Sequence, residues 1–246
     1  MREKKMSTIA VLGAGPGLGM SVARRFAKEG YAVGLVSRST DRHPGYLEEL
    51  SASGVPAVAV AADLRAPGAA ANALAEITAA LGPIDVVYHG PGAQNLSAPT
   101  VGILETQPAD IRRAMAETLE PAVEVANLAL PTMRSRGRGA LVYVSGLSAL
   151  VPLPFLGPYA PASGALRTYA RTLAAAAAED GVHVGSLVVG GLIERGDIHR
   201  MLTDPATPAP YATLDPDELA GAVWRLASGT EDEVVFDVLT QDPAEG

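Results

Sequence analysis

Thr8-Ile-Ala-Val-Leu12 runs directly into Gly13-Ala-Gly-Pro-Gly-Leu-Gly19, and helical periodicity begins at Leu18. Four glycines between a short apolar strand and a helix leave few architectures open. Glycine admits φ > 0 and lets backbone approach a neighbour closely, so the chain can turn off the strand and start a helix at once. A helix begun this way points unpaired N–H groups and the positive end of its dipole out of the turn. That is a cradle for a phosphate-bearing group, and a strand before with a helix after is the context in which dinucleotides bind. Gly13, Gly15, Pro16, Gly17, Leu18 and Gly19 are the residues expected to line it.

The same alternation continues down the chain. Apolar runs at Thr8–Leu12, Ala32–Ser37, Ala57–Ala61, Val86–His89, Ala140–Ser145, His183–Val188 and Val234–Val238 read as strands. Alanine-rich stretches with helical spacing read as helices at Leu18–Glu29, Gly45–Ala52, Gly68–Leu81, from Pro108 on toward Met133, Tyr159–Glu179 and Pro216–Ala227. Strands apolar throughout are those of a parallel sheet covered on both faces. The expectation is therefore an α/β fold: one Rossmann-type domain over residues 7–246, with a doubly wound parallel sheet of seven strands, and residues 1–6 as an N-terminal extension. The segment Gly190–Leu214 breaks the rhythm, holds Pro205, Pro208 and Pro210, and reads as a long loop of the kind that covers a substrate.

Composition narrows the function. With 246 residues and 48% hydrophobic content, one sizeable core is expected. A net charge of −8 argues against a nucleic-acid or anionic-membrane surface, leaving a small molecule as the expected partner. There is no cysteine, which excludes disulfides, thiol catalysis and zinc–thiolate sites. The histidines His43, His183 and His199 have no metal-site spacing and read as loop or surface residues. No apolar run reaches the ~18 residues of a membrane-spanning helix, and the N-terminus lacks a secretory pattern, so a cytoplasmic protein is expected. The lysines are Lys4, Lys5 and Lys28, with none beyond.

An NAD site usually ends its second strand on Asp or Glu, which binds the ribose 2′-hydroxyl. Here that place reads Val36-Ser-Arg-Ser39. Arg38 offers a planar donor fork suited to a 2′-phosphate, with Ser37 and Ser39 beside it, so NADP(H) is favoured over NAD(H).

The Gly13-x-x-x-Gly17-x-Gly19 spacing resembles that of the short-chain dehydrogenase/reductase family, and the resemblance extends over nearly the whole chain. Asp63, in Ala61-Ala-Asp-Leu64, looks like the family's aspartate at the adenine. Gly181 to Ile193 looks like the sixth strand and the loop beside the nicotinamide, with Gly190-Gly191 where the family usually has Pro-Gly. Leu226-Ala-Ser-Gly229 and Val234-Val-Phe236 resemble the closing helix and strand. The resemblance implies that Leu64, Gly90, Gly191 and Ile193 also contact the cofactor. It implies a homodimer or homotetramer joined through the long helices, where Ala174–Ala178 allows close approach.

In that family a tyrosine protonates the substrate oxygen, a lysine four residues on lowers its pKa, a serine polarises the carbonyl and an asparagine holds a water relay. Tyr159 matches the tyrosine. Ser163 stands in the lysine's place, Gly146 in the serine's, flanked by Ser145 and Ser148, and Thr118 in the asparagine's. The loop after the fourth strand reads His89-Gly-Pro-Gly92 in place of Asn-Asn-Ala-Gly. A phenol titrates near 10, and two or three units of lost tuning are worth roughly 3–4 kcal/mol, a hundredfold to a thousandfold in rate. The candidate catalytic residues are Tyr159, Ser145, Ser148, Ser163, Thr118 and His89, with Arg167, two turns on from Tyr159, a further source of charge. If Leu153 and Phe155 face a cavity, the substrate is apolar. The expected function is an atypical NADP(H)-dependent transfer of hydride to or from a small carbonyl or alcohol. The alternatives are a non-redox isomerase, dehydratase or cyclase on the same fold, or a silent NADP(H)-binding protein.

Overall fold

The computed structural model describes residues 6–90, 101–203 and 212–240. Its strands are β1 (Thr8–Leu12), β2 (Ala32–Ser37), β3 (Ala57–Ala61), β4 (Ile84–His89), β5 (Gly139–Gly146), β6 (Val182–Gly190), β7 (Leu192–Ile193), β8 (Thr213–Leu214) and β9 (Glu233–Asp237). Its α-helices are α1 (Leu18–Lys28), α2 (His43–Ser51), α3 (Ala69–Leu81), α4 (Pro108–Thr118), α5 (Glu120–Arg136), α6 (Tyr159–Ala177), α7 (Asp197–Leu202) and α8 (Pro216–Ala227). Seven strands form one parallel sheet in the order β3-β2-β1-β4-β5-β6-β9.

Alternation along each strand divides the core in two. Ile9 and Val11 of β1, Val86 and Tyr88 of β4, and Val142 of β5 pack on one face with Phe26, Leu219, Val223 and Leu226 of α1 and α8. Ala10 and Leu12, Val87, and Leu141 and Tyr143 pack on the other with Ile77, Val125, Met133 and Leu166 of α3, α5 and α6. A strand apolar at every position has no face to give to water, so each sheet face takes a helical layer. Strand order reverses between β1 and β4, where the Leu12–His89 register and the Gly90 N–H to Leu12 carbonyl bond of 2.9 Å hold the two ends together. In open α/β sheets ligands sit outside the strands' C-terminal ends at such a reversal. Far down the same pair, the Thr8 N–H donates to Asp85 Oδ2, 77 positions along the chain.

Two expectations need correction. The helix read from Pro108 toward Met133 is two helices meeting at Leu119. Pro121 has no N–H to continue the first, and proline is accepted in the first turn of a new helix. The segment Gly190–Leu214 is more than a loop. β7 and β8 pair in parallel across it and α7 lies between them. Pro205, Pro208 and Pro210 lie outside the described residues, as do Met1–Lys5, Pro91 and Gly92.

Candidate functional site

The loop after β1 is set by close approach. Gly13 has φ +103°, and a Cβ on Gly19 would stand 2.2 Å from the Gly13 carbonyl oxygen, so α1 rests directly on the turn that precedes it. A Cβ on Gly17 would meet the Glu194 carbonyl at 3.0 Å, whereas one on Gly15 meets nothing within 4 Å. The open side of the loop is therefore at Gly15 and half-buried Pro16. At Gly17 no side chain caps α1, and its first turn carries no acidic residue. Leu18 is buried and anchors the turn. An uncapped, acid-free helix start beside an open backbone fits a phosphate.

At the end of β2, Arg38 is exposed and makes no ion pair among the described residues. The hydroxyl of Ser37 donates to the Ser39 carbonyl at 2.9 Å and bonds His43 Nε2 at 2.8 Å, and that of Ser39 donates to Asp41 at 3.1 Å. Both serines thus shape the turn. His43, read as a loop or surface residue, is buried at the start of α2, because its ring closes on Ser37. Asp63 holds both carboxylate oxygens on the Arg65 fork, at 2.8 and 2.6 Å, and those bonds pull its carboxyl down to about 2. Leu64 beside it is buried. Gly90 lies against the buried Tyr88 hydroxyl.

The tetrad positions fall on the C-terminal ends of β4 and β5 and the facing helices. A Cβ on Gly146 would stand 3.7 Å from both Ser148 Oγ and Ser163 Oγ, so the serine and lysine positions of the family are brought together with two hydroxyls between them. Ser145, Ser148, Thr118 and His89 each bury a polar atom without a hydrogen-bond partner among the described residues: Ser145 Oγ, Ser148 Oγ, Thr118 Oγ1 and His89 Nε2. Buried polar atoms are normally paired, and the orphans on His89 and Ser145, at the C-terminal ends of the neighbouring strands β4 and β5, leave a place for a guest or for water. Burial pulls the His89 imidazole down to about 4, which leaves it neutral at pH 7.

Tyr159 opens α6, its ring packed on Ala114, Met115 and Ala162 between α4 and α6. Its hydroxyl donates to Glu117 Oε2 at 2.7 Å. Burial first, then the bond to Glu117 and its charge, raise the phenol above its ordinary 10, while the Arg113 guanidinium pulls the other way. Sequence reasoning missed Glu117. Its own segment carried no signal, since only the packing of α4 on α6 brings it to Tyr159. Arg167 is drawn away from the lysine's place, because its Nε and Nη2 both donate to Glu233, at 2.7 and 2.6 Å. Phe155 is 63% exposed, and Leu153 is half-buried.

One further element flanks the cleft. Arg42 clamps Asp197, the first residue of α7, with two bonds of 2.9 and 2.8 Å. Just ahead, Arg195 holds φ +63° and pairs with Asp217 at 2.8 Å. Gly191 leaves room for Val238 and Leu214, and Ile193 pairs with Leu214. Residues 194–196 are thereby laid across Gly17.

A parallel sheet reversed beside a glycine turn, with a tyrosine at the start of the facing helix, defines a nucleotide-cleft dehydrogenase fold. The chain belongs to the short chain dehydrogenase family, a family of oxidoreductases, which it matches over residues 7–198. It is 32% identical over 232 residues to 1-deoxy-11-beta-hydroxypentalenate dehydrogenase of Streptomyces avermitilis, across 94% of this chain and 84% of that protein. It is 29% identical over 172 residues to a short chain dehydrogenase of Pseudocercospora fijiensis, and there it spans only 54% of the relative's length. Among solved structures, L-sorbose reductase from Gluconobacter frateurii, complexed with NADPH and L-sorbose, superposes with a TM-score of 0.78 at 23% identity over 96% of each chain, a likeness of fold. Among the described residues no helix is long and apolar enough to cross a membrane, and no cluster of His, Asp and Glu could hold a metal ion.

Proposed function

We propose that the chain binds NADP(H) in preference to NAD(H) and passes hydride between it and a small carbonyl or alcohol. The observation that carries the reading is the pairing of an uncapped, acid-free start to α1 with Arg38, exposed and without an ion pair among the described residues, at the end of β2. The backbone from Gly15 to Gly19 receives the pyrophosphate, and Arg38 takes the 2′-phosphate with its planar fork. The nicotinamide ring supplies the hydride donor or acceptor. Gly90, Gly191 and Ile193 are the residues that would hold that ring, and Leu64 and Asp63 those that would hold the adenine. Ser145 and Ser148, whose hydroxyls have no partner among the described residues, turn them to the substrate oxygen, Tyr159 exchanges its proton, and Thr118, Ser163 and His89 hold water behind it. Relatives of this fold include a reductase solved with NADPH, which is in keeping with the phosphate reading.

The exposed side of α5, with Leu128 at 39% exposure, and the small-residue face of α6 suit assembly as a homodimer or homotetramer, which analytical ultracentrifugation measures directly. The test of the main reading is a fluorescence titration with NADPH and NADH. Tight NADPH and weak NADH are expected, and Arg38→Ala is expected to weaken NADPH by roughly tenfold to a hundredfold, the worth of one or two charge-assisted hydrogen bonds, while leaving NADH nearly unchanged. Failure to bind either dinucleotide removes the oxidoreductase reading and leaves a fold kept for another purpose.

A further inference from the structure

Tyr159 lacks the cation expected four residues along its helix, yet its hydroxyl is engaged. Its direct partner is a carboxylate, Glu117 Oε2 at 2.7 Å, supplied by the last turn of α4. The chain offers no lysine after Lys28. The cations around the pair carry ion pairs of their own. On α4, Arg113 bonds Asp110 at 2.8 Å and also acts on the Tyr159 hydroxyl, against Glu117. In the turn after β3, Arg65 is held by Asp63 at 2.6 Å. On α6, Arg167 and Arg171 both go to Glu233. The ring packs on Ala114, Met115 and Ala162.

An ammonium beside a phenol favours phenolate. A carboxylate beside it favours phenol and offers a place for the phenol's proton to go. With a carboxylate behind it, the phenol takes a proton on one side only as it gives up its own on the other. We infer that Glu117 is the positioning residue and proton acceptor behind Tyr159, and that the pair is built to take a proton from an alcohol.

The inference rests on the hydride-transfer reading above. The alcohol O–H bond breaks and its proton passes to Tyr159 Oη. The Tyr159 Oη–H bond breaks in concert and that proton passes to Glu117 Oε2. The carbinol C–H bond breaks with its electron pair going to the oxidised nicotinamide dinucleotide. The alcohol is thereby oxidised to a carbonyl, the dinucleotide is reduced, and one proton remains on the carboxyl group until solvent removes it. Tyr159 touches the substrate, and Glu117 acts through it.

The first measurement needs neither cofactor nor substrate. Phenolate absorbance at 295 nm is recorded at pH 10 for the protein and for Tyr159→Phe, and the difference reports Tyr159 alone. In a Glu117→Gln background the amide keeps the shape and removes the charge. The Tyr159 phenolate-to-phenol ratio is expected to rise about threefold or more. A smaller rise, or a fall, overturns the inference; Glu117→Ala serves the same comparison if the amide variant does not fold.

The second measurement is alcohol oxidation with NADP+ as the probe. Glu117→Ala is expected to lower kcat by at least about tenfold, to leave the NADP+ dissociation constant unchanged, and to regain rate in added formate. Full kcat in Glu117→Ala overturns the relay. If the phenolate ratio responds while neither dinucleotide binds, the hydride reading fails and the Tyr159–Glu117 pair stands. If the dinucleotide binds while the ratio is unmoved, the pair fails alone.

Discussion

Gly19→Ala tests how the glycine loop is built. The added methyl would lie 2.2 Å from the Gly13 carbonyl oxygen and 2.9 Å from Ala14 Cα, and both are backbone atoms that no rotamer change can move. Restoring ordinary contact requires α1 to retreat by roughly 1 Å. That helix buries Leu18, Met20, Val22, Ala23, Phe26 and Ala27, so a retreat loosens its whole inner face from β1, β2 and α8. Overpacking a tight interior site costs about 1–3 kcal/mol, which in a chain of this size lowers Tm by roughly 3–10 °C. Gly15→Ala is the control from the same loop. Its Cβ meets nothing within 4 Å, so stability is expected to hold to within ~0.5 kcal/mol, whereas NADPH affinity should fall because the methyl occupies the open side of the turn. Differential scanning calorimetry and the fluorescence titration read the two effects separately. Equal Tm values for Gly19→Ala and the parent protein would show that α1 does not rest on Gly13, and the close-approach argument would be wrong.

His89 is held neutral by burial, with its pKa near 4 against about 6.5 unfolded, so its contribution to stability is complete above pH 6.5 and is lost as pH falls toward 4. The stability difference between the parent and His89→Asn should therefore shrink by up to about 3 kcal/mol over that window, measured by urea unfolding at fixed pH; a flat difference refutes it. Arg167→Ala leaves Glu233 with Arg171 alone and should cost about 1–2 kcal/mol in urea unfolding, with NADPH affinity unchanged; loss of affinity would return Arg167 to the site. Tyr159→Phe should reduce kcat by a hundredfold or more while NADPH binds as before, and unchanged turnover removes Tyr159 from the chemistry.

The central sheet was legible because its signal is local. Runs such as Ile9–Leu12 and Ala32–Val36 carry no polar side chain, as a strand covered on both faces does. The ends of β5 and β6 were less so. Gly146, Val189 and Gly190 extend them, and glycine carries no strand signal of its own. Pro121 was visible, yet a proline in the first turn of a second helix leaves the alanine spacing unbroken across Leu119. The glycine loop could be read from sequence because one segment makes it. Glu117 could not, because its meaning depends on α4 lying against α6, a tertiary fact, and its neighbour Thr118 occupies the position that sequence comparison points to. His43 escaped for the same reason. A histidine beside Pro44 reads as turn chemistry until the Ser37 hydroxyl is found against its ring.

The place of β1 in the sheet bears on how the chain is made. Its partner on one side, β2, follows almost at once, but its partner on the other, β4, comes later, as the 77-residue span from Thr8 to Asp85 records. During synthesis at about 5–20 residues per second, the β4-facing edge of β1 therefore waits roughly 4–15 seconds for its neighbour. Through that interval the β1–β2 pair presents a row of open N–H and C=O groups along that edge to any other extended segment nearby. The arrangement that places the cleft at the middle of the sheet also makes the middle of the sheet the last part of the N-terminal half to be closed.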